Sequence, residues 1–434
     1  MSPNDMMIFF LEIAVMLFTA LLCGQLARKL RLPAVLGELA GGIILGPTVW
    51  GWLSPGSHGW LFPASGAVFP GRDGLIQICM LFFLFAVGLE INLGLVKERR
   101  RNIAWTSLMS IAIPFALGFG LVILFPGLWE SQIHGGLVLF ALFMGTALSI
   151  SALPVIARIL MDLDLINTDT GAIIMGSATV NDLIGWSLFA LVLSSYDMST
   201  LNLPPYLTII LVILLFAVML TVGRSIGRKA VPWFKSHLPW PGGFLGIAAV
   251  LMLLLAAFAE AVGIHAVFGA FLVGVALSQS PGKRDEAHEM IYQFVMYFFA
   301  PLYFVSIGLR ADFIASFDPL LVTIVLLIAC VGKISGATLG ARISGLPVRQ
   351  SAAIGFALNA RGAMEMILAT VARDAGLIND RIFVALIVMA LVTSLISGPA
   401  IDRLTAARPV KPSAPIPDGY RRMADFEDRF PEED

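Results

Sequence analysis

Asp182 is the residue of this chain best placed to do chemistry. It stands in TDTGAIIMGSATVNDLIGWSLFALVLSS, residues 168–195, a run otherwise apolar and long enough to cross a bilayer. A carboxylate at that depth costs on the order of 2.5–3.5 kcal/mol on insertion scales, so it is kept where it is paired, hydrated or used. Such a group holds a proton or a monovalent cation, and one excludes the other. The structural alternative is a hydrogen bond to a neighbouring helix. Asn181 adds a second polar group beside it. Ser149 and Ser151 lie in GTALSISALPVIARIL, residues 145–160, where Pro154 lacks an N–H and should open the helix near Ile150. Lys333, in IACVGKISGATLG, residues 328–340, lies too deep to reach the interface. A buried ammonium needs a counter-charge, and Asp182 is its expected partner. Asn359, Arg361 and Glu365 interrupt the apolar run GFALNARGAMEMILA, residues 355–369; Arg361 and Glu365, one turn apart, are expected to pair across that break. Glu38, Glu90 and Glu260 fall near helix ends and read as structural or gating groups, and His265 as an interface residue.

Membrane helices must hold these groups. The 434 residues are 58% apolar and 13% charged, with a mean hydropathy of +0.89, which describes an all-α polytopic membrane protein. A net charge of −1 argues against nucleic acid as a partner. Cys23, Cys79 and Cys330 lack metal-ligand spacing, and neither a nucleophile–base set nor a glycine-rich nucleotide fingerprint occurs, so neither an enzyme nor a resident cofactor is expected. Apolar windows of roughly 20 residues predict thirteen spans, at about 6–27, 33–49, 73–93, 103–125, 136–160, 169–195, 206–225, 243–262, 264–280, 290–309, 318–340, 349–373 and 380–401. With the N-terminus outside, sixteen Lys and Arg residues fall in inside loops; four, Arg72, Arg310, Arg373 and Arg381, fall outside. That asymmetry orients the chain with its N-terminus out and its C-terminus cytoplasmic. Residues 1–401 then form the transmembrane domain and 402–434 a short cytoplasmic tail, in a bacterial inner or plasma membrane.

The two halves rhyme. LPAVLGELAGGIILG from Leu32 aligns with IHAVFGAFLVGVALS from Ile264, AVGLEINL from Ala86 with SIGLRADF from Ser306, and DLDLIN from Asp162 with DAGLIN from Asp374, at offsets of 232, 220 and 212 residues. The order is kept while loop lengths drift. Six-span repeats over about 6–195 and 243–401, separated by the single linker helix 206–225, must be inverted relative to one another. Inverted repeats with discontinuous helices belong to secondary transporters, and spans 5 and 12 are the broken pair.

The segments AGGIILGP, FLFAVGLEINL, ALSISALPVIARIL, ATVNDLIGW, HAVFGAFLVG, LYFVSIGLRADF and ALNARGAMEMIL resemble the monovalent cation/proton antiporter-2 family over about residues 6–401. That family includes Kef-type potassium/proton antiporters and plant cation/proton exchangers. The resemblance implies a thirteen-span homodimer with a scaffold domain and a moving core of spans 4–6 and 11–13. It implies that Asp182 binds the cation, that Ser151 assists where most relatives carry Thr, and that Lys333 is the eleventh-span charge. Relatives that move net charge usually carry Asp-Asp where this chain has Asn181 and Asp182. Asn-Asp resembles the electroneutral pattern, although electroneutral relatives pair it with an eleventh-span Arg. Kef-type relatives also carry a cytoplasmic nucleotide-binding domain, whose gating would here need a separate regulatory subunit.

The expected function is alternating-access antiport of Na⁺ or K⁺ against H⁺ at Asp182, one for one. An electrogenic antiporter would need Lys333 to release its proton each cycle. A gated cation channel would need a continuous polar pore, and an organic-anion transporter a cationic site without Asp182.

Overall fold

The computed structural model describes residues 2–30, 33–63, 65–91, 99–129, 136–163, 165–166, 168–196, 205–237, 242–278, 286–310 and 312–405. Arg31, Lys97, Lys283, Arg284 and the tail beyond Thr405, which entered the orientation and domain readings, lie outside them. Long apolar stretches in lipid must satisfy every backbone group internally, so they fold as helices. In chain order these are α1 (Pro3–Lys29), α2 (Ala34–Leu45), α3 (Pro55–Leu61), α4 (Val68–Glu90), α5 (Arg100–Leu124), α6 (Leu137–Ser149), α7 (Leu153–Asp162), α8 (Asp169–Tyr196), α9 (Pro205–Val218), α10 (Arg224–His237), α11 (Gly242–Ala261), α12 (Ala266–Leu277), α13 (Glu286–Phe294), α14 (Ala300–Leu309), α15 (Pro319–Ile343), α16 (Val348–Leu358), α17 (Ala363–Asp374) and α18 (Asp380–Thr405).

Among the described residues, ten helical stretches are long and apolar enough to cross a membrane, eleven if α16 and α17, bent by 43°, count as one. Each of the thirteen expected stretches contains helix among its described residues. The fifth is split into α6 and α7, and α12 has only 12 residues, short of the roughly 20 that a crossing needs. Two expectations change. α4 begins at Val68 rather than near 73, because Pro70 falls in its first turn, where the missing N–H is one a helix leaves unpaired anyway. Arg72 is therefore a helical residue and not a loop charge, and its guanidinium pairs with the fully buried Glu12 of α1. The linker helix runs past 225, since a π turn at Met219–Gly223 joins α9 to α10.

The helices pack in two groups. α1, α2, α4, α11, α12 and α14 pack on one another, and α5, α6, α8, α15, α16 and α18 form the other set. Glycines set the closest approaches in the first group. A Cβ at Gly42 would collide with the Val305 carbonyl and lie 3.0 Å from Gly308 Cα. A Cβ at Gly274 would collide with the Phe85 carbonyl and lie 2.8 Å from Gly88 Cα. The sequence offsets pair these same positions, Gly42 with Gly274 at 232 and Gly88 with Gly308 at 220. α2 thus crosses α14 as α12 crosses α4.

Candidate functional site

The site lies where two helix breaks cross. α6 ends at Ser149 and α7 starts at Leu153, while α16 ends at Leu358 and α17 starts at Ala363. Pro154 stands in the first turn of α7, so it starts the second half-helix rather than kinking a continuous one. The first break is held by the second. Ser151 Oγ donates to the Leu358 carbonyl at 2.8 Å, and the Ala152 N–H donates to the Ala360 carbonyl at 3.1 Å.

The last carbonyls of α6 have no helical donors, and in lipid no water replaces them. Two cations supply donors. Arg361 Nη1 donates to the Ala147 carbonyl at 2.8 Å, its Nη2 donates to the Leu148 carbonyl, and Lys333 Nζ donates to the Ser149 carbonyl. Positive charge at a helix C-terminus also opposes the helix dipole. Arg361 forms the expected pair with Glu365, at 2.7 Å, with both side chains buried.

The expected Asp182–Lys333 pair is not formed. Lys333 bonds the α6 terminus, and among the described residues neither carboxylate oxygen of Asp182 has a hydrogen-bond partner, although both are buried. The Ser149 hydroxyl donates to Thr146 O at 2.8 Å. Asn181 is tied to its neighbours, with Nδ2 donating to Ser110 Oγ at 2.9 Å and to Ser151 Oγ at 3.4 Å. Ser110 of α5 was not singled out from the sequence. The available signal was its spacing, for Thr106, Ser110 and Pro114 recur every four residues and all are buried on one α5 face.

Asp182 is buried but lines a cavity. A cavity of about 220 Å³ runs to it between the two helix groups, with Glu38, Phe83 and Val87 on one wall and Leu153, Val155 and Ala363 on the other. The same cavity is lined by Arg28, Arg158 and Glu289. Charged groups link the ends of three other helices. Arg310, which follows α14, bonds Asp73 of α4 at 2.6 Å and also pairs with Asp374 of α17, while Arg373 Nη2 donates to the Arg310 carbonyl at 2.8 Å. Glu260 Oε2 accepts from the Ala266 N–H at 2.7 Å and His265 is the N-cap of α12, so both hold a helix start.

The family pattern described as "Sodium/hydrogen exchanger, transmembrane" matches residues 15–407. The chain belongs to this family. It is 30% identical to Na(+)/H(+) antiporter NhaS4 of Synechocystis over 410 residues, 94% of this chain and 99% of that one. It is 34% identical to Cation/H(+) antiporter 17 of Arabidopsis thaliana over 405 residues, 91% of this chain. This chain spans about half the length of such plant relatives, 48% in that case. Na(+)/H(+)-K(+) antiporter GerN of Bacillus cereus is 27% identical over 401 residues, covering 92% of this chain and 97% of that one. The fold is similar to that of the sodium proton antiporter MjNhaP1 of Methanocaldococcus jannaschii, with a TM-score of 0.64 and 15% identity, over 93% of this chain and 99% of that one. The protein is accordingly an integral membrane protein of an antiporter family.

Proposed function

We propose that this protein is a secondary antiporter exchanging Na⁺ or K⁺ for H⁺ at Asp182 by alternating access. The observation that carries this is Asp182 itself, a mid-helix carboxylate with both oxygens unpartnered among the described residues, lining a cavity. An unpaired buried charge is costly, and a proton or a cation relieves it. The names of NhaS4 and GerN support cation/proton exchange and leave both Na⁺ and K⁺ in play. The two helix groups act as scaffold and core in a thirteen-span dimer of inverted repeats, a reading supported by the matched glycine crossings. The basic-residue asymmetry supports a cytoplasmic mouth for this cavity, and the Arg310 network is then the outer gate. Neutralised Asp182 lets the core move and bare Asp182 holds it back, which couples the two fluxes. Lys333, committed to Ser149, keeps its proton throughout, so exchange is electroneutral.

The test is exchange in liposomes with an internal pH dye, pulsed with Na⁺, K⁺, Li⁺ and Rb⁺. Asp182→Asn should abolish cation-driven pH recovery while the protein stays folded by gel filtration. Recovery near the wild-type rate would sink the mechanism.

A further inference from the structure

The cavity that reaches Asp182 holds a second buried acid. Glu38 on α2 is 4% exposed, lines that cavity, and has an Oε2 with no hydrogen-bond partner among the described residues. α1 packs behind its side chain, where a Cβ at Gly24 would lie 3.4 Å from Cγ and Oε1. α2 belongs to the helix group that lacks Asp182. The charged and titratable groups facing it across the cavity are Arg28 from α1, Glu90 from α4, Arg158 from α7, Asp182 from α8, and Glu289, Tyr292 and Tyr297 from α13 and the turn after it. Arg28 places its guanidinium over the Tyr297 ring, 5.8 Å from the centroid. Glu289 accepts from Gln293 Nε2 at 2.9 Å, and Glu90 has an interaction of its own. Glu38 is thus the acid of this wall with a buried, uncommitted oxygen.

We propose that Glu38 is a proton-exchanging carboxyl of the vestibule, which takes the proton leaving Asp182 and releases it at the cavity mouth. This rests on the reading of Asp182 as the exchange site. When a cation displaces the proton from Asp182, that proton crosses the cavity through water to the Glu38 carboxylate. It leaves Glu38 later for bulk water, so one proton is released per cation bound. A cavity of about 220 Å³ is roomy enough for the bridging water. An acceptor on the scaffold wall stays in place at the mouth while the core carries Asp182 away.

The experiment uses the full chain in liposomes, with Na⁺ and K⁺ pulses across a pH series. Wild type is compared with Glu38→Gln, Glu38→Asp and Asp182→Asn. An ionised Glu38 helps to hold the proton on Asp182. Without that charge a cation displaces the proton at a higher proton concentration, so the rise of exchange with pH should begin about half a unit or more lower in Glu38→Gln. Its maximal rate should fall about tenfold, and Glu38→Asp should move both values back toward wild type. A Glu38→Gln profile superposable on wild type overturns the proposal. If Glu38→Gln does not fold, the wild-type protein decides. Dicyclohexylcarbodiimide, which modifies protonated carboxyls in apolar surroundings, should label Glu38 with a yield that fades as pH rises. No adduct on Glu38 at any pH overturns the proposal too. Asp182→Asn separates the two readings. Exchange persisting there removes the antiport site, whereas its loss beside an unshifted Glu38→Gln profile removes Glu38 alone.

Discussion

Ala147, Leu148 and Ser149 end α6 with carbonyls that no helical N–H can reach, and Lys333 and Arg361 bond all three. Lys333 therefore works first as a donor and only then as a charge. Lys333→Gln keeps an N–H donor, one bond shorter, whereas Lys333→Met leaves the Ser149 carbonyl buried and unpaired, at about 1–3 kcal/mol. Lys333→Met should unfold at the lower temperature of the two, read by fluorescence-detected gel filtration after heating. Equal midpoints would remove the capping role. Ser151 ties Asn181 to the Leu358 carbonyl and faces the same polar cluster. Losing one neutral hydrogen bond is worth about 1 kcal/mol, so Ser151→Ala should raise the cation KM roughly fivefold with a smaller change in maximal rate. An unchanged KM across the cation series would take Ser151 out of the site. Sequence alone picked out Asp182, Ser151, Lys333 and Arg361 by type and depth. It paired Lys333 with the wrong acceptor, because backbone carbonyls are invisible in a residue pattern.

Each broken helix is stable only through the other. Arg361 joins the α6 carbonyls to Glu365, and Ser394 Oγ of α18 donates to the Arg361 carbonyl. Arg361→Met would strand a buried Glu365 and two carbonyls, at about 3–5 kcal/mol. The variant should accumulate poorly and unfold earlier in detergent, and the double variant Arg361→Met/Glu365→Gln should recover part of the loss. A single variant as stable as wild type would contradict this account. Pro154 marked the first break within a few residues, since proline acts locally on its own helix. The start of α4 was misplaced for the converse reason. Pro70 and Gly71 read as loop residues, yet the first turn of a helix tolerates a missing N–H, and buried Glu12 draws Arg72 into the helix.

At the scale of the whole molecule, one cavity reaches Asp182, and Arg310 ties the start of α4 to the end of α17 through Asp73 and Asp374. If exchange is electroneutral, the rate of Na⁺-driven exchange should not respond to a membrane potential set with valinomycin and K⁺. A steep voltage response would show that Lys333 releases its proton each cycle, and Lys333→Gln should then become voltage-insensitive. Composition and periodicity determined the membrane class, the helical stretches and the mid-membrane carboxylate, because lipid permits few backbone solutions and penalises every charge. The repeated segments placed Gly42 opposite Gly274 and Gly88 opposite Gly308 in the alignment before any contact was known. Only the tertiary structure decided which groups satisfy one another. Ser110 met Asn181, Lys333 met Ser149, and Glu38 joined Asp182 around one cavity. Such pairings depend on how helices distant in sequence cross, and crossing is set by packing of whole faces rather than by any local signal.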